Sequence, residues 1–269
     1  MKSIAKISIL TILLLAPVFK IQSQEESKEC PADINVGVDL MSRFIWRGMN
    51  FGGSSPSIQP YTSISVKNFE WGVWSAYSIS NFNNQEFDLY ACYTFGKDLF
   101  TVMVTDYYSA SDILDYNYFD YDKDFTGHIY EGSLMFNGAE KFPFSFLAAL
   151  NFYGADAPKI NNDETSPDFN TKTGIQYSNY FELGYFGELK GVSYNAFWGF
   201  TLSNPKKPDL TTGFIGEPGY YGNGPGFINI GFTATKEIQI TEKFSLPITT
   251  SISTNPQKEK VFFVVGISL

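Results

Sequence analysis

The fold class that this sequence predicts is all-β: a transmembrane antiparallel up-and-down β-barrel of about twelve strands. Three observations predict it. Polar and apolar residues alternate with period two along segments of about ten residues. Aromatic residues are abundant, with 26 Phe, 17 Tyr and 4 Trp. Charged residues make up 17% of the chain, below the quarter or so expected of a water-soluble domain.

The elements follow in order. Met1–Ser23 carries Lys2 and Lys6, an apolar run from Ile7 to Phe19, and a small residue at Ser23. That pattern reads as a secretory signal cut before Gln24 and is too short for a spanning helix. Residues 24–33 form a short segment on the periplasmic side, and 34–269 form the barrel. In the first strand Ile34, Val36, Val38, Leu40, Phe44 and Trp46 share one face. Asp39, Arg43 and Arg47 share the other, with Asn35 and Gly37. Similar alternation covers Ile58–Val66, Trp71–Ile79, Phe87–Phe95, Leu99–Tyr108, Ile129–Phe136 and Phe144–Tyr153. It continues through Ile175–Phe186, Val192–Leu202, Ile228–Ile238, Phe244–Thr254 and Val261–Leu269. Each segment is near the roughly 9–11 residues that a tilted strand needs to cross a bilayer.

A bilayer core supplies no hydrogen bonds, so such strands must pair on both edges and the sheet must close. The connections agree with that topology. Short turns such as Lys67–Glu70, Gly96–Asp98 and Gly187–Lys190 alternate with long polar loops at Ser109–Thr126, Gly154–Lys172 and Ser203–Pro225. This is the pattern of periplasmic turns and extracellular loops. A soluble β-sandwich is the rival, and it would need a second sheet to cover Phe146, Trp198 and Phe200.

The formal net charge is −9, and loss of Lys2, Lys6 and Lys20 with the signal takes it three lower, to about −12. Such acidity excludes a nucleic-acid partner, which needs a basic footprint. The lumen candidates are Asp39, Arg43 and Arg47, with Glu86, Asp88, Glu131 and Glu182 as inward carboxylates that could pair with the arginines. They make either a charged constriction or a set of ion pairs bracing a narrow lumen. The loop Ser109–Thr126 holds Asp112, Asp115, Asp120, Asp122 and Asp124 among tyrosines. An EF-hand needs Gly at its sixth position, where Phe125 stands, so Asp120, Asp122 and Asp124 remain only as a looser divalent-cation site. No other cofactor is expected. His128 is the only histidine, and Ser133 falls on the opposite face of its strand, which argues against a local Ser–His pair. Cys30 and Cys92 are the only cysteines; a disulfide between them would tether the N-terminal segment, and two free thiols are the alternative. The Gly-rich stretch Tyr220–Phe227 serves turn geometry.

Two further features are resemblances. The C-terminal strand, ending on Leu269, resembles the assembly signal of outer-membrane barrels, and so implies the barrel-assembly machinery as a partner. The segment Ser42-Arg43-Phe44-Ile45-Trp46-Arg47-Gly48, followed by Pro56, Gln59, Pro60 and Trp71-Gly72-Val73-Trp74-Ser75, resembles the Gcw_chp family over about residues 34–80. That likeness implies a barrel in the outer membrane of a Gram-negative bacterium, with outer-membrane lipid as its surroundings. The family has no established activity, so it supplies no catalytic residue. The expected function is a passive channel for small solutes. The alternative is a closed barrel acting through its loops as an adhesin, receptor or envelope scaffold. A lipid-modifying enzyme would need catalytic groups that the sequence does not assemble, and the oligomeric state stays open.

Overall fold

The computed structural model describes residues 32–80, 85–110 and 117–269. The signal segment, Cys30, Asp112 and Asp115 lie outside them. Sixteen strands occur among the described residues: β1 (Asp33–Met41), β2 (Ile45–Trp46), β3 (Met49–Asn50), β4 (Ser57–Val66), β5 (Phe69–Ser78), β6 (Gln85–Phe95), β7 (Phe100–Ala110), β8 (His128–Phe136), β9 (Phe144–Gly154), β10 (Pro158–Ile160), β11 (Lys172–Ile175), β12 (Asn179–Leu189), β13 (Val192–Thr201), β14 (Gly226–Thr241), β15 (Phe244–Asn255) and β16 (Lys260–Ser268). Twelve of them close a barrel in the order β1-β16-β15-β14-β13-β12-β9-β8-β7-β6-β5-β4, every neighbour antiparallel. The pairs β2–β3 and β10–β11 are small sheets apart from the wall.

Tight turns at one end fix the register. Between Leu189 and Val192 the turn residues Lys190 and Gly191 both have positive φ, 53° and 73°. That is the type I′ geometry, whose twist matches that of the flanking strands. The barrel closes where β1 meets β16, through Asp39↔Ser268, Leu40↔Ile267 and Met41↔Gly266. Val38 and Leu269 exchange backbone hydrogen bonds of 3.0 and 2.9 Å beyond them. The wall is otherwise joined by longer ladders, so this seam is the shortest.

Two expected boundaries are corrected. The first strand was expected to run to Trp46; it ends at Met41, and the chain then leaves the wall. The segment from Ile175 was expected to lie in the barrel; Lys172–Ile175 instead pairs with Pro158–Ile160, and the wall strand begins at Asn179. In both cases the alternating pattern runs on past the point where the ladder partners stop.

The outward face is apolar and bears two aromatic girdles. At the turn end, Trp71, Phe69, Tyr93, Phe95, Phe100, Phe136, Phe142, Phe144, Tyr185, Tyr194 and Phe232 follow one another around the wall with ring centroids 4.6–6.2 Å apart. Toward the loop end, Phe181, Phe200 and Phe227 form a second row. On β7 the outward rings of Phe100, in the turn-end row, and Tyr108, at the loop end of the strand, are eight residues apart. At about 3.4 Å per residue that is roughly 27 Å along the strand, and about 20 Å along the axis at a tilt near 40°. The inward face carries Ser, Thr, Asn, Gly and carboxylates. Tyr61 covers Gly37 and Tyr90 covers Gly72 on paired strands, each ring occupying the space a Cβ would need.

Candidate functional site

The loop after β1 folds into the lumen instead of standing above it. Ser42 makes the last contacts with the wall, its amide donating to the Val265 carbonyl (2.8 Å) and its hydroxyl accepting from the Val265 amide (2.9 Å). The chain then forms the hairpin β2–β3, with Ile45↔Asn50 and Trp46↔Met49 as partners. The two turn residues are Arg47 (φ 48°) and Gly48 (φ 73°). A side chain at Gly48 would run into the backbone carbonyl of Ile228, so the hairpin tip docks by close approach of backbone. Asn255 Nδ2 donates to the Gly48 carbonyl at 3.0 Å from the other side.

This docking places Arg47 across the lumen. Its guanidinium forms a bidentate pair with Glu131 on β8: Nη2 donates to Oε1 at 2.9 Å, and Nη1 donates to Oε2. Nη1 also donates to the Tyr221 hydroxyl at 2.7 Å, and Tyr107 donates to Glu131 Oε1 at 3.2 Å. The guanidinium carbon lies 4.4 Å from the Trp46 ring centroid and 4.5 Å from that of Tyr180. The Arg47 and Glu131 side chains are 4% and 1% exposed. A planar, bidentate donor stacked on aromatic faces suits such burial. Next to it Tyr180 donates to Glu182, and Asn229 Nδ2 reaches the Glu182 carboxylate (3.2 Å) and the Tyr180 hydroxyl (3.1 Å).

The other inward candidates are distributed around this contact. Glu86 accepts from the Ser109 hydroxyl at 3.0 Å. Asp88 is buried, with one carboxylate oxygen unpartnered. Asp39 is buried beside Ser268, which hydrogen-bonds its carboxylate. Arg43, expected on the inward face of the first wall strand, lies instead on the inward-turning segment beyond Met41, and it makes no ion pair among the described residues. With Asp39, Glu182, Asn195 and Trp74 it lines a lumen cavity of about 170 Å³ next to the hairpin. Inward residues grow more accessible toward the turn end. On β13, Thr201, Gly199 and Phe197 are buried, Asn195 is half-buried and Ser193 is exposed. On β14, Asn229 is buried, Thr233 and Thr235 are half-buried and Glu237 is exposed.

The two long loops on the other side of the barrel lock together. Glu217 accepts from the Ile160 amide (3.1 Å) and the Lys206 amide (2.8 Å), while Gln176 donates to the carbonyls of Pro158 (2.9 Å) and Pro218 (2.7 Å). Between them lies a cleft of about 490 Å³ lined by Lys159, Gln176, Tyr177, Lys206 and Glu217.

His128 lies at the loop end of β8 on the outward face, fully buried. Its Nδ1 meets Asp106 Oδ1 at 2.7 Å and its Nε2 meets the Tyr118 carbonyl at 2.6 Å. Both ring nitrogens are occupied, and Ser133 faces the lumen. The loop of residues 117–127 packs on the wall over His128, with Asp122 and Asp124 exposed. Its carboxylates shape its turns: Asp120 Oδ1 accepts from the Asp122 amide (3.0 Å) and Asp122 Oδ1 from the Asp124 amide (2.9 Å). Asp124 pairs with Lys123 at 2.6 Å, a hydrogen bond that holds its carboxyl below the ordinary range. Among the described residues no three metal-ligating side chains converge. Cys92 is half-buried on the inward side and unbridged among the described residues; its proposed partner Cys30 lies outside them.

Parity alone left four carboxylates for the arginines and put Arg47 on the wall. A signal for the hairpin was present, since Arg47-Gly48 sits between the short pairs Ile45-Trp46 and Met49-Asn50 in the spacing of a two-residue turn. Tyr221 carried no signal, because a loop residue has no parity to read.

No family model matches this chain, so the Gcw_chp likeness rests on the residues quoted for it, and no curated protein matches. Solved structures do. The COG4313 outer membrane channel of Pseudomonas putida F1 aligns over 93% of this chain and 98% of its own, with 10% identity and a TM-score of 0.36. Wzi of Escherichia coli, described as a carbohydrate-binding β-barrel involved in group 1 capsule assembly, aligns over 89% of this chain and 56% of its own, with 9% identity and a TM-score of 0.30. Likeness this loose says nothing about what the present barrel binds or conducts.

Proposed function

We propose that this protein is an outer-membrane barrel of a Gram-negative bacterium, closed at rest, that works through its locked outer loops as a surface receptor or envelope scaffold. The membrane part of this reading is supported by the outward apolar belt between two aromatic rows and by short turns opposing long loops. The closed part is carried by one observation: the hairpin at Arg47 fills the lumen and buries a bidentate ion pair against the opposite wall. A steady water path at that level would leave Arg47 and Glu131 exposed, and both side chains are buried. Removal of the secretory signal before Gln24, lipid surroundings and delivery by the barrel-assembly machinery belong to the same reading.

One feature favours a second reading. Inward residues are more accessible toward the turn end and a cavity lies beside the hairpin, so withdrawal of the hairpin would leave a polar path for small solutes. Planar-bilayer recording separates the two. The wild-type protein should be silent at low voltage, and removal of residues 44–51 should produce discrete conductance steps. Steady conductance of the wild type would contradict the closed reading, whereas voltage-driven bursts that the wild type shows and that vanish when the hairpin is cross-linked to the wall would favour the gated channel.

A further inference from the structure

The loop of residues 117–127 lies along the outside of the wall, not over the mouth of the barrel. Tyr118 packs its ring on Phe87 (5.9 Å), Tyr108 (5.0 Å) and His128 (5.0 Å), and Tyr121 packs on His128 at 4.7 Å. Tyr153 donates its hydroxyl to the Tyr121 carbonyl at 2.5 Å. The residues beneath the loop all belong to the outward set of β6 to β9, continuous with Leu89, Val104, Leu134 and Phe152 of the apolar belt. With Tyr118 and Tyr121 turned to the wall, the residue between them that is largest and apolar, Phe119, is left 79% exposed; Phe125 at the far end of the loop is 73% exposed.

The wall supplies a reason for this cover. Asp106 is an outward carboxylate near the upper edge of the belt, bonded by His128 and by the Tyr130 hydroxyl. A carboxylate facing hydrocarbon without partners or cover is strongly disfavoured. The loop backbone completes the cover by taking the second nitrogen of His128 with the Tyr118 carbonyl.

The geometry points to this loop as a lipid-docked foot: Phe119 and Phe125 enter the boundary between headgroups and acyl chains of the outer leaflet, and the carboxylates of Asp120, Asp122 and Asp124 stay at the headgroup level. Large aromatic side chains beside polar backbone prefer that boundary. The occupant is lipid rather than a protein partner because the exposed rings continue the belt that already meets lipid. The inference rests on the membrane reading of the belt, and its test keeps the two apart.

Wild-type protein in phosphatidylethanolamine–phosphatidylglycerol vesicles is labelled by a carbene reagent dissolved in the lipid phase, and the sites are read by mass spectrometry. Trp198 serves as the belt control and Leu210, on an outer loop and fully exposed, as the water control. Phe119 and Phe125 should label within about threefold of Trp198 and at least about tenfold above Leu210, as partition at the interface predicts. Labelling of both at the level of Leu210, with Trp198 strongly labelled, overturns the foot and leaves the belt intact. Failure of Trp198 to label overturns the membrane reading itself.

Discussion

Arg47 is the residue on which the closed lumen turns, and its partner shows how a buried charge is tolerated. Replacing Glu131 by Gln leaves a buried guanidinium without its counter-charge, and should destabilise the barrel by about 3–5 kcal/mol in reversible denaturation in bilayers. Replacing both, Arg47→Met with Glu131→Leu, should restore most of that loss, since an apolar pair of similar volume removes the desolvation cost together with the attraction. If the double variant were no better than the single one, the pair would be doing more than balancing its own burial. The inward parity of Glu131 was legible in the sequence, because β8 alternates cleanly. Its selection over Glu86, Asp88 and Glu182 was not, because a contact across a lumen depends on which strands face each other and on a hairpin whose entry parity does not describe. Asp39 and Arg43 illustrate the same limit: they line one cavity without pairing.

Strands were far more legible than loops, for a physical reason. A strand between two neighbours has one choice of face per residue, and period two records it; ten of the twelve wall strands lie close to where the alternation puts them. A loop answers to contacts that the sequence does not order. The hairpin at residues 45–50 and the foot at residues 117–127 both make contacts that no alternation describes. For the hairpin, Gly48→Ala should force the tip away from Ile228, against both the close approach and the positive φ, and give intermittent conductance where the wild type is silent. For the foot, His128→Ala removes the anchor of the Tyr118 carbonyl. Chymotrypsin should then cut at Tyr118, Phe119 or Tyr121 roughly tenfold faster, since local opening sets the rate at which a loop is cleaved. Unchanged cleavage would mean that the loop is held by its other contacts, principally Tyr153 and the Tyr118 ring.

At the scale of the whole molecule the two faces of one sheet divide the solvent. Val104 stands half-exposed near the middle of the outward side of β7, and Val104→Arg should cost about 2–4 kcal/mol in a bilayer, the range for a cation near the midplane of a barrel wall. A loss below about 0.5 kcal/mol would place that surface in water, where such a substitution costs little. The fold class, the strand number and the sidedness of turns and loops were all present in the alternation and in the lengths of the connections. Whether the interior was open or filled was not, because it depends on a loop entering it.

The four tryptophans give the most direct test of a closed barrel in a membrane. Trp71 and Trp198 point outward, 48% and 38% exposed, while Trp46 and Trp74 lie inside, 7% and 4% exposed. In vesicles, brominated lipid should quench Trp71 and Trp198; in a variant with both changed to Phe, the remaining emission should resist brominated lipid and aqueous acrylamide alike. Strong acrylamide quenching of Trp46 and Trp74 would show a water-filled lumen, and absence of lipid quenching in the wild type would remove the belt from the bilayer; either result contradicts the account.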